Sequence, residues 1–227
     1  MELALLALAS YVIGSVPFGL LVGKAWGKDI RGYGSGKTGA TNALRTLGRG
    51  AAALVLVGDT AKGAVAVLVA RLLFPTPAGE AVAGLAAIAG HNWPFYLRFR
   101  GGRGVSTGLG AALVMAPWAG LLSLAVAAIV IALFRYVSLG SLLGFLAFLM
   151  ALALLTALGR EPLAYLAFAI AAAGIVVFQH RDNIQRLLKG TERVLGERAE
   201  PFDKLRTPPF DPSTGSEHSQ LRTPPRA

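Results

Sequence analysis

The chain has no cysteine among its 227 residues, which excludes disulfides, thiolate metal sites and cysteine nucleophiles. It has only three histidines, without the HxxxH or HExxH spacing of a local metal site, so neither a metal nor a cofactor is expected. Charge is also scarce, at 15% of residues, where soluble domains carry about 25%. The little there is leans one way, with 22 Lys and Arg against 12 Asp and Glu for a formal charge of +10. Hydrophobic residues make up 54% of the chain, and the mean hydropathy is +0.58. A basic excess points to nucleic acid, anionic head groups or anionic substrates. Long apolar runs favour the lipid side of that choice, and no nucleic-acid partner is expected.

A bilayer core about 30 Å thick takes about 20 apolar residues to cross as a helix. Candidate spans are 3–22, 51–74, 81–97, 104–117, 118–134, 139–158 and 163–178. The third, fourth and seventh are short, so seven is the reading and five or six are its alternatives. The first stretch has no basic region before it, and it reads as a retained helix rather than a signal peptide. Between the spans lie two kinds of loop. Lys24, Lys28, Arg31, Lys37, Arg45 and Arg49 face Asp29 alone in the first, while Arg98, Arg100 and Arg103 cluster in another. Arg135 caps the fifth span and Arg181 opens a polar segment, whereas 75–80 and 159–162 are short and nearly neutral. Seven spans put every basic loop on one side, which the positive-inside rule makes cytoplasmic. The expected fold is therefore an all-α, polytopic transmembrane protein with its N-terminus outside and its C-terminus cytoplasmic. Residues 1–198 form the membrane domain. In 199–227 a Leu-Arg-Thr-Pro-Pro repeat marks a low-complexity tail, expected to be disordered.

Three polar segments exceed what topology requires. The first is Gly34-Ser35-Gly36-Lys37-Thr38-Gly39-Ala40-Thr41-Asn42-Ala43-Leu44-Arg45. Glycines let backbone N–H groups turn toward an anion, which hydroxyl, amide and cationic side chains then enclose. Gly36-Lys37-Thr38 looks like the end of a P-loop, but Arg31 stands where that motif needs its first glycine. The second runs from Gly90-His91-Asn92-Trp93 to Gly101-Gly102-Arg103-Gly104. An aromatic belt accounts for Trp93, Tyr96 and Arg98; it does not account for glycines around Arg103, which suggest backbone approaching an anion. The third, His180-Arg181-Asp182-Asn183-Ile184 onward to Glu192, has apolar Ile184, Leu187 and Leu188 at helical spacing. That describes an interfacial amphipathic helix, and it sets His180 and Asn183 together on the turn nearest the membrane. Asp59 and Lys62, three apart within the second span, are placed to pair with each other.

Together these segments resemble the signature motifs of the bacterial membrane glycerol-3-phosphate acyltransferases that take their acyl group from acyl-phosphate. Residues 35–45 resemble that family's Ser-Gly-Asn-x-Gly-Ala-Thr-Asn-x-x-Arg loop, 90–104 its Gly-His…Gly-Gly-Lys-Gly stretch, and 180–192 its His-x-x-Asn-Ile segment. Lys37 stands where the family usually has Asn, and Arg103 where it usually has Lys. The resemblance covers residues 1 to about 198. It implies transfer of a fatty acyl chain to the sn-1 hydroxyl of glycerol 3-phosphate, giving 1-acyl-glycerol 3-phosphate and phosphate at the entry to phospholipid synthesis. It also implies a cell-membrane location, a cytoplasmic-face site and a second acyltransferase acting next. Ser35, His180 and Asn183 are the catalytic candidates. Gly36, Lys37, Gly39, Thr41, Asn42, Arg45, Gly102, Arg103, Gly104 and Glu192 are the substrate-binding ones. A transporter or binding protein for a phosphorylated or lipid substrate is the alternative, and it predicts midplane polar residues and repeated halves. No His-x-x-x-x-Asp dyad is present, since Tyr96 and Gln185 stand at the required distances from His91 and His180.

Overall fold

Apolar runs punctuated by proline and glycine become ten α-helices in the computed structural model, which describes residues 1–202. The expected disorder of the tail lies outside the described residues from 203 onward. Two helices, α1 (Glu2–Ser15) and α2 (Phe18–Ala25), together form the first apolar stretch. They break at Val16-Pro17, where proline has no N–H to continue the ladder. A short helix, α3 (Ala40–Leu47), carries the first polar motif. It leads through Gly48, at φ 96°, into the long α4 (Arg49–Leu73). Helix α5 (Pro77–Asn92) starts with Pro77 in its first turn and with Thr76 Oγ1 accepting from the Gly79 amide at 3.1 Å, a standard N-terminal arrangement. Then come α6 (Val105–Met115), α7 (Pro117–Phe134), α8 (Val137–Ala157), α9 (Leu163–Gln179) and α10 (Arg181–Leu188).

Each of the seven expected apolar stretches contains α-helix, but the first is broken at Val16-Pro17, the α-helix of the third ends at Asn92 rather than 97, and they are not equal in reach. Four are long and apolar enough to cross a membrane: the α1–α2 pair, α4, α7 and α8. The α9–α10 pair, bent by 63°, makes a fifth if counted as one span. Helix α6 has 11 residues, so it rises about 16 Å at 1.5 Å per residue, roughly half the hydrocarbon thickness.

The helices meet through small residues and a core of large ones. A Cβ on Gly14 would strike the Ala87 backbone, and one on Gly90 would strike the Tyr11 carbonyl, so α1 and α5 run in near-backbone contact. Small residues permit such approach where lipid offers no hydrophobic drive between helices. Phe148 and Phe168 pack edge to face between α8 and α9 with centroids 6.2 Å apart. Val67, Ile88, Leu152 and Val176 complete the interior, all fully buried. Leu72, Trp118 and Leu133 project outward, as lipid-facing side chains would.

Chain direction then places the polar motifs. The start of α4, the end of α5, the start of α6, the end of α9 and all of α10 share one end of the bundle with the 26–39 loop. At the opposite end Arg71, in the last turn of α4, forks onto Glu80 of α5 (2.9 and 2.7 Å), and Tyr165 of α9 donates to the same carboxylate at 2.8 Å.

Candidate active site

The loop before α3 is built around one side chain, Asn42. Its Nδ2 donates to the carbonyls of Ile30 (2.8 Å) and Lys37 (2.9 Å), and its Oδ1 accepts from the Ser35 amide at 3.1 Å. Gly34, at φ 57°, leaves no room for a side chain because a Cβ would press on Asn42 Oδ1. Asn42 thus spends its hydrogen-bonding capacity on holding the loop, although it also lines the cavity. Ser35 Oγ accepts from the Lys37 amide at 3.4 Å. Gly39, as the N-terminal cap of α3, together with Ala40 and Thr41, brings a helix N-terminus into the cavity wall, a favourable place for an anion.

Three cations enter the same cavity. Arg45, on α3, is 9% exposed, and its Nη2 donates to the Arg193 carbonyl at 3.3 Å. Burial, with the Arg193 charge nearby, holds its guanidinium below the ordinary arginine value. Arg103 sits in the 101–104 loop, and its buried Nε has no hydrogen-bond partner among the described residues. Burial and the positive Arg186 push it down to about 10. Lys37 is half-buried and lowered by burial, then by the charges of Arg103 and Arg181. Cations that repel each other and lose water are satisfied by an anion bound among them.

Gly102 and Gly104 serve the loop geometry. Gly104 caps α6 at φ 79°, and a Cβ there would meet Ile88 and the Asn92 amide. The Gly101 and Gly102 amides donate to the carbonyls of Asn92 (3.1 Å) and His91 (3.0 Å).

The third motif lies at the break just past the end of α9. His180 Nδ1 is 2.8 Å from the Val176 carbonyl. A carbonyl can only accept, so Nδ1 carries the proton and Nε2 holds the lone pair. Burial, then the Arg103 charge, pushes the imidazole down to about 4, so it is neutral at pH 7. Asn183 Nδ2 donates to Glu192 Oε1 at 2.7 Å, leaving a buried Oδ1 without a partner among the described residues. Glu192 Oε2 accepts from Arg186 Nε at 2.9 Å. Glu192, named from the sequence with the binding residues, thus lines the cavity with both oxygens already engaged. A carboxylate tied up in this way does not repel a phosphate as a free one would.

Ser35, Lys37, Gly39, Thr41, Asn42, Arg45, Arg103, Gly104, His180, Asn183 and Glu192 line one cavity of about 390 Å³. Gly36 and Gly102 are not in its wall and act through the loops they shape. Apolar side chains line the same cavity, with Leu56 of α4, Leu109 of α6, Leu124 and Ile131 of α7 and Val137 of α8. Asp59 and His91 also line it, as does Leu195. The expected Asp59–Lys62 pair is present, with Nζ 2.8 Å from Oδ1. The proximity of His91 to that pair had no sequence signal, because 32 residues separate Asp59 from His91.

Apolar helices around a cavity lined by cations and by apolar side chains are the arrangement of an integral membrane protein with a site suited to an anion. More narrowly, the chain belongs to the glycerol-3-phosphate acyltransferase family, whose model matches residues 4–190. The glycerol-3-phosphate acyltransferase of Thermoanaerobacter pseudethanolicus is 43% identical over 201 residues, covering 88% of this chain and 99% of that one. The Halalkalibacterium halodurans protein of the same name is 47% identical over 204 residues, covering 88% and 99%. A crystal structure of PlsY (YgiH), described as an integral membrane glycerol 3-phosphate acyltransferase, superposes in its glycerol 3-phosphate form with a TM-score of 0.80. Its lysophosphatidic acid form gives 0.78. Both are 34% identical to this chain, covering 86% of it and 96% of the PlsY chain.

Proposed function

We propose that this glycerol-3-phosphate acyltransferase takes its acyl group from acyl-phosphate and gives it to the sn-1 hydroxyl of glycerol 3-phosphate. The acyl carbon gains a bond to the sn-1 oxygen and loses its bond to the phosphate oxygen. The hydroxyl proton passes to a phosphate oxygen, and the products are 1-acyl-glycerol 3-phosphate and inorganic phosphate. The observation that carries this reading is the lining of the cavity. Lys37, Arg45 and Arg103 line it, its two carboxylates among the described residues, Glu192 and Asp59, are paired with Arg186 and Lys62, and apolar side chains of α4, α6, α7 and α8 line the rest.

Arg103 and Lys37 hold one phosphate in this reading, and Arg45 with the amides around Ser35 and Gly39 holds the other. Thr41 closes that wall, Asn42 with Gly36 keeps its shape, and Gly102 and Gly104 let Arg103 approach. Ser35 Oγ hydrogen-bonds a reacting oxygen. His180 Nε2 accepts from the attacking hydroxyl and orients it, because an imidazole this acidic is a poor proton store. The Asn183 Oδ1 is a second acceptor for a glycerol hydroxyl, with Glu192 fixing its direction. The acyl chain lies along Leu56, Leu124 and Ile131. Phosphate is a competent leaving group, so positioning and charge neutralisation supply most of the acceleration. Seven membrane segments, with the basic end and the C-terminus cytoplasmic, put the site where soluble glycerol 3-phosphate reaches it. The product then passes to a second acyltransferase.

The test uses purified protein in lipid. Phosphate release from acyl-phosphate is expected only when glycerol 3-phosphate is present. Turnover with an acyl thioester but not with acyl-phosphate overturns the donor assignment. Activity surviving in an Arg45→Ala/His180→Ala double variant removes both residues from the site.

A further inference from the structure

The reach of Arg103 depends on a loop with few ties. The Gly101 amide donates to the Asn92 carbonyl and the Gly102 amide to the His91 carbonyl, and the Gly104 carbonyl accepts from the Gly108 amide of α6. The His91 ring also touches the loop, since a Cβ on Gly102 would run into Nε2. The opposite ring nitrogen, Nδ1, lies 3.4 Å from Asp59 Oδ1. Asp59 is anchored in turn by Lys62, whose Nζ also donates to the Val16 carbonyl at 2.7 Å. All three side chains are buried, with Asp59 at 1% exposure and His91 at 6%. Asp59 and Lys62 already satisfy each other's charge. Packing alone does not call for a histidine wedged between that pair and the glycine loop, where an apolar ring of similar volume would serve. Its two edges join a fixed carboxylate on α4 to the backbone that carries Arg103, whose buried Nε has no hydrogen-bond partner among the described residues.

We propose that Asp59 and His91 are positioning residues that set the height of the Gly102-Arg103 loop, so that the Arg103 guanidinium meets the substrate phosphate. This rests on Arg103 holding a phosphate. A group misplaced by about 1 Å can cost about 100-fold in kcat/KM, and a phosphate contact made equally in the ground and transition states shows that loss in KM, so a loop that sinks into the space vacated by an imidazole has a measurable effect.

The experiment measures KM for both substrates and kcat in His91→Ala, Asp59→Asn, their double variant and Arg103→Gln. The expected result is that His91→Ala raises one KM about tenfold or more. It should be the same KM that Arg103→Gln raises, with kcat within a few-fold of the parent. Asp59→Asn should change that KM less, and should add nothing to it in the His91→Ala background. A purely structural defect lowers the active fraction, so kcat falls while both KM values hold. That outcome, or a rise in the other KM, overturns the proposal while Arg103 keeps its role. If Arg103→Gln moves neither KM, the phosphate assignment fails and the positioning role fails with it. Should His91→Ala not be recoverable from membranes, Gly102→Ala pushes the same contact from the loop side and carries the same expectation.

Discussion

The Asn183 amide donates to Glu192 Oε1 at 2.7 Å, and that single bond decides which end of Asn183 is free. With Nδ2 engaged, the buried Oδ1 has no partner among the described residues, and in the proposed reading it accepts from the substrate. Replacing Glu192 by Ala frees the amide to turn and leaves a buried donor unpaired. That costs about 1–3 kcal/mol, read as a lower unfolding temperature in detergent, and activity falls with it. Glu192→Gln keeps an acceptor for Nδ2 and is expected to recover much of both. Equal losses in Gln and Ala variants would show that the charge, not the orientation, is what counts.

Acid should destabilise the protein through His180. Its folded value of about 4 lies below the ordinary 6.5, so between those values the unfolded chain binds more protons. Stability therefore rises with pH across that window and is lost as pH falls from about 6.5 toward 4. His180→Gln should flatten the dependence of unfolding temperature on pH there. At the alkaline end, Lys37 is lowered by burial and by Arg103, so substrate affinity should decline before an ordinary lysine would titrate. Lys37→Arg should move that limb upward, and an unchanged alkaline limb would remove Lys37 from the phosphate site.

Asn42 gives a sharper comparison. Asn42→Ala removes the bonds to Ile30, Lys37 and Ser35 together, and kcat/KM is expected to drop about 10–100-fold as the loop loosens. The isosteric Asp variant turns a carboxylate oxygen onto three carbonyls, those of Ile30, Tyr33 and Lys37. Asn42→Asp should be the worse of the two by both activity and unfolding temperature. An active Asp variant would mean that the side chain meets substrate rather than backbone.

These residues also mark how far the sequence could be read. The apolar runs and Pro117 were enough to locate most of the helices, because hydropathy acts locally, but 3–22 read as one helix and the structure breaks it at Val16-Pro17. The length of α6 was less legible, since glycine and proline bound a run without saying whether it crosses. Motif residues were legible as types. Asn42 looked like a ligand contact because amides help enclose anions, and Glu192 because it falls in a motif that resembles the family's. Only three-dimensional placement shows their oxygens and nitrogens committed to Ser35, Lys37, Asn183 and Arg186. Asp59 announced its partner three residues on, but His91 belongs to another helix, and no periodicity links the two.

Direct transfer makes a chemical prediction about Ser35. Its hydroxyl accepts from the Lys37 amide, and it makes no hydrogen bond to a histidine or carboxylate among the described residues. A serine lacking such a base is a weak nucleophile. Protein incubated with acyl-phosphate alone, denatured and treated with hydroxylamine should release no acyl hydroxamate. Hydroxamate in the parent that disappears in Ser35→Ala would replace direct transfer with an acyl-enzyme.

The far end of the bundle supplies the contrasting case. Arg71, Glu80 and Tyr165 tie α4, α5 and α9 together, and the Arg71 guanidinium also donates to the Val114 carbonyl at 2.9 Å. Glu80 is buried while the Arg71 side chain is 42% exposed, so solvent screens part of the pair. Glu80→Ala leaves a tyrosine hydroxyl and a guanidinium without their acceptor. It should cost about 1–3 kcal/mol, seen as earlier thermal unfolding. None of these groups lines the cavity, so the folded fraction of Glu80→Ala should keep both KM values. A changed KM would mean that strain at this end reaches the glycine loop through α5, the one helix that carries both Glu80 and His91.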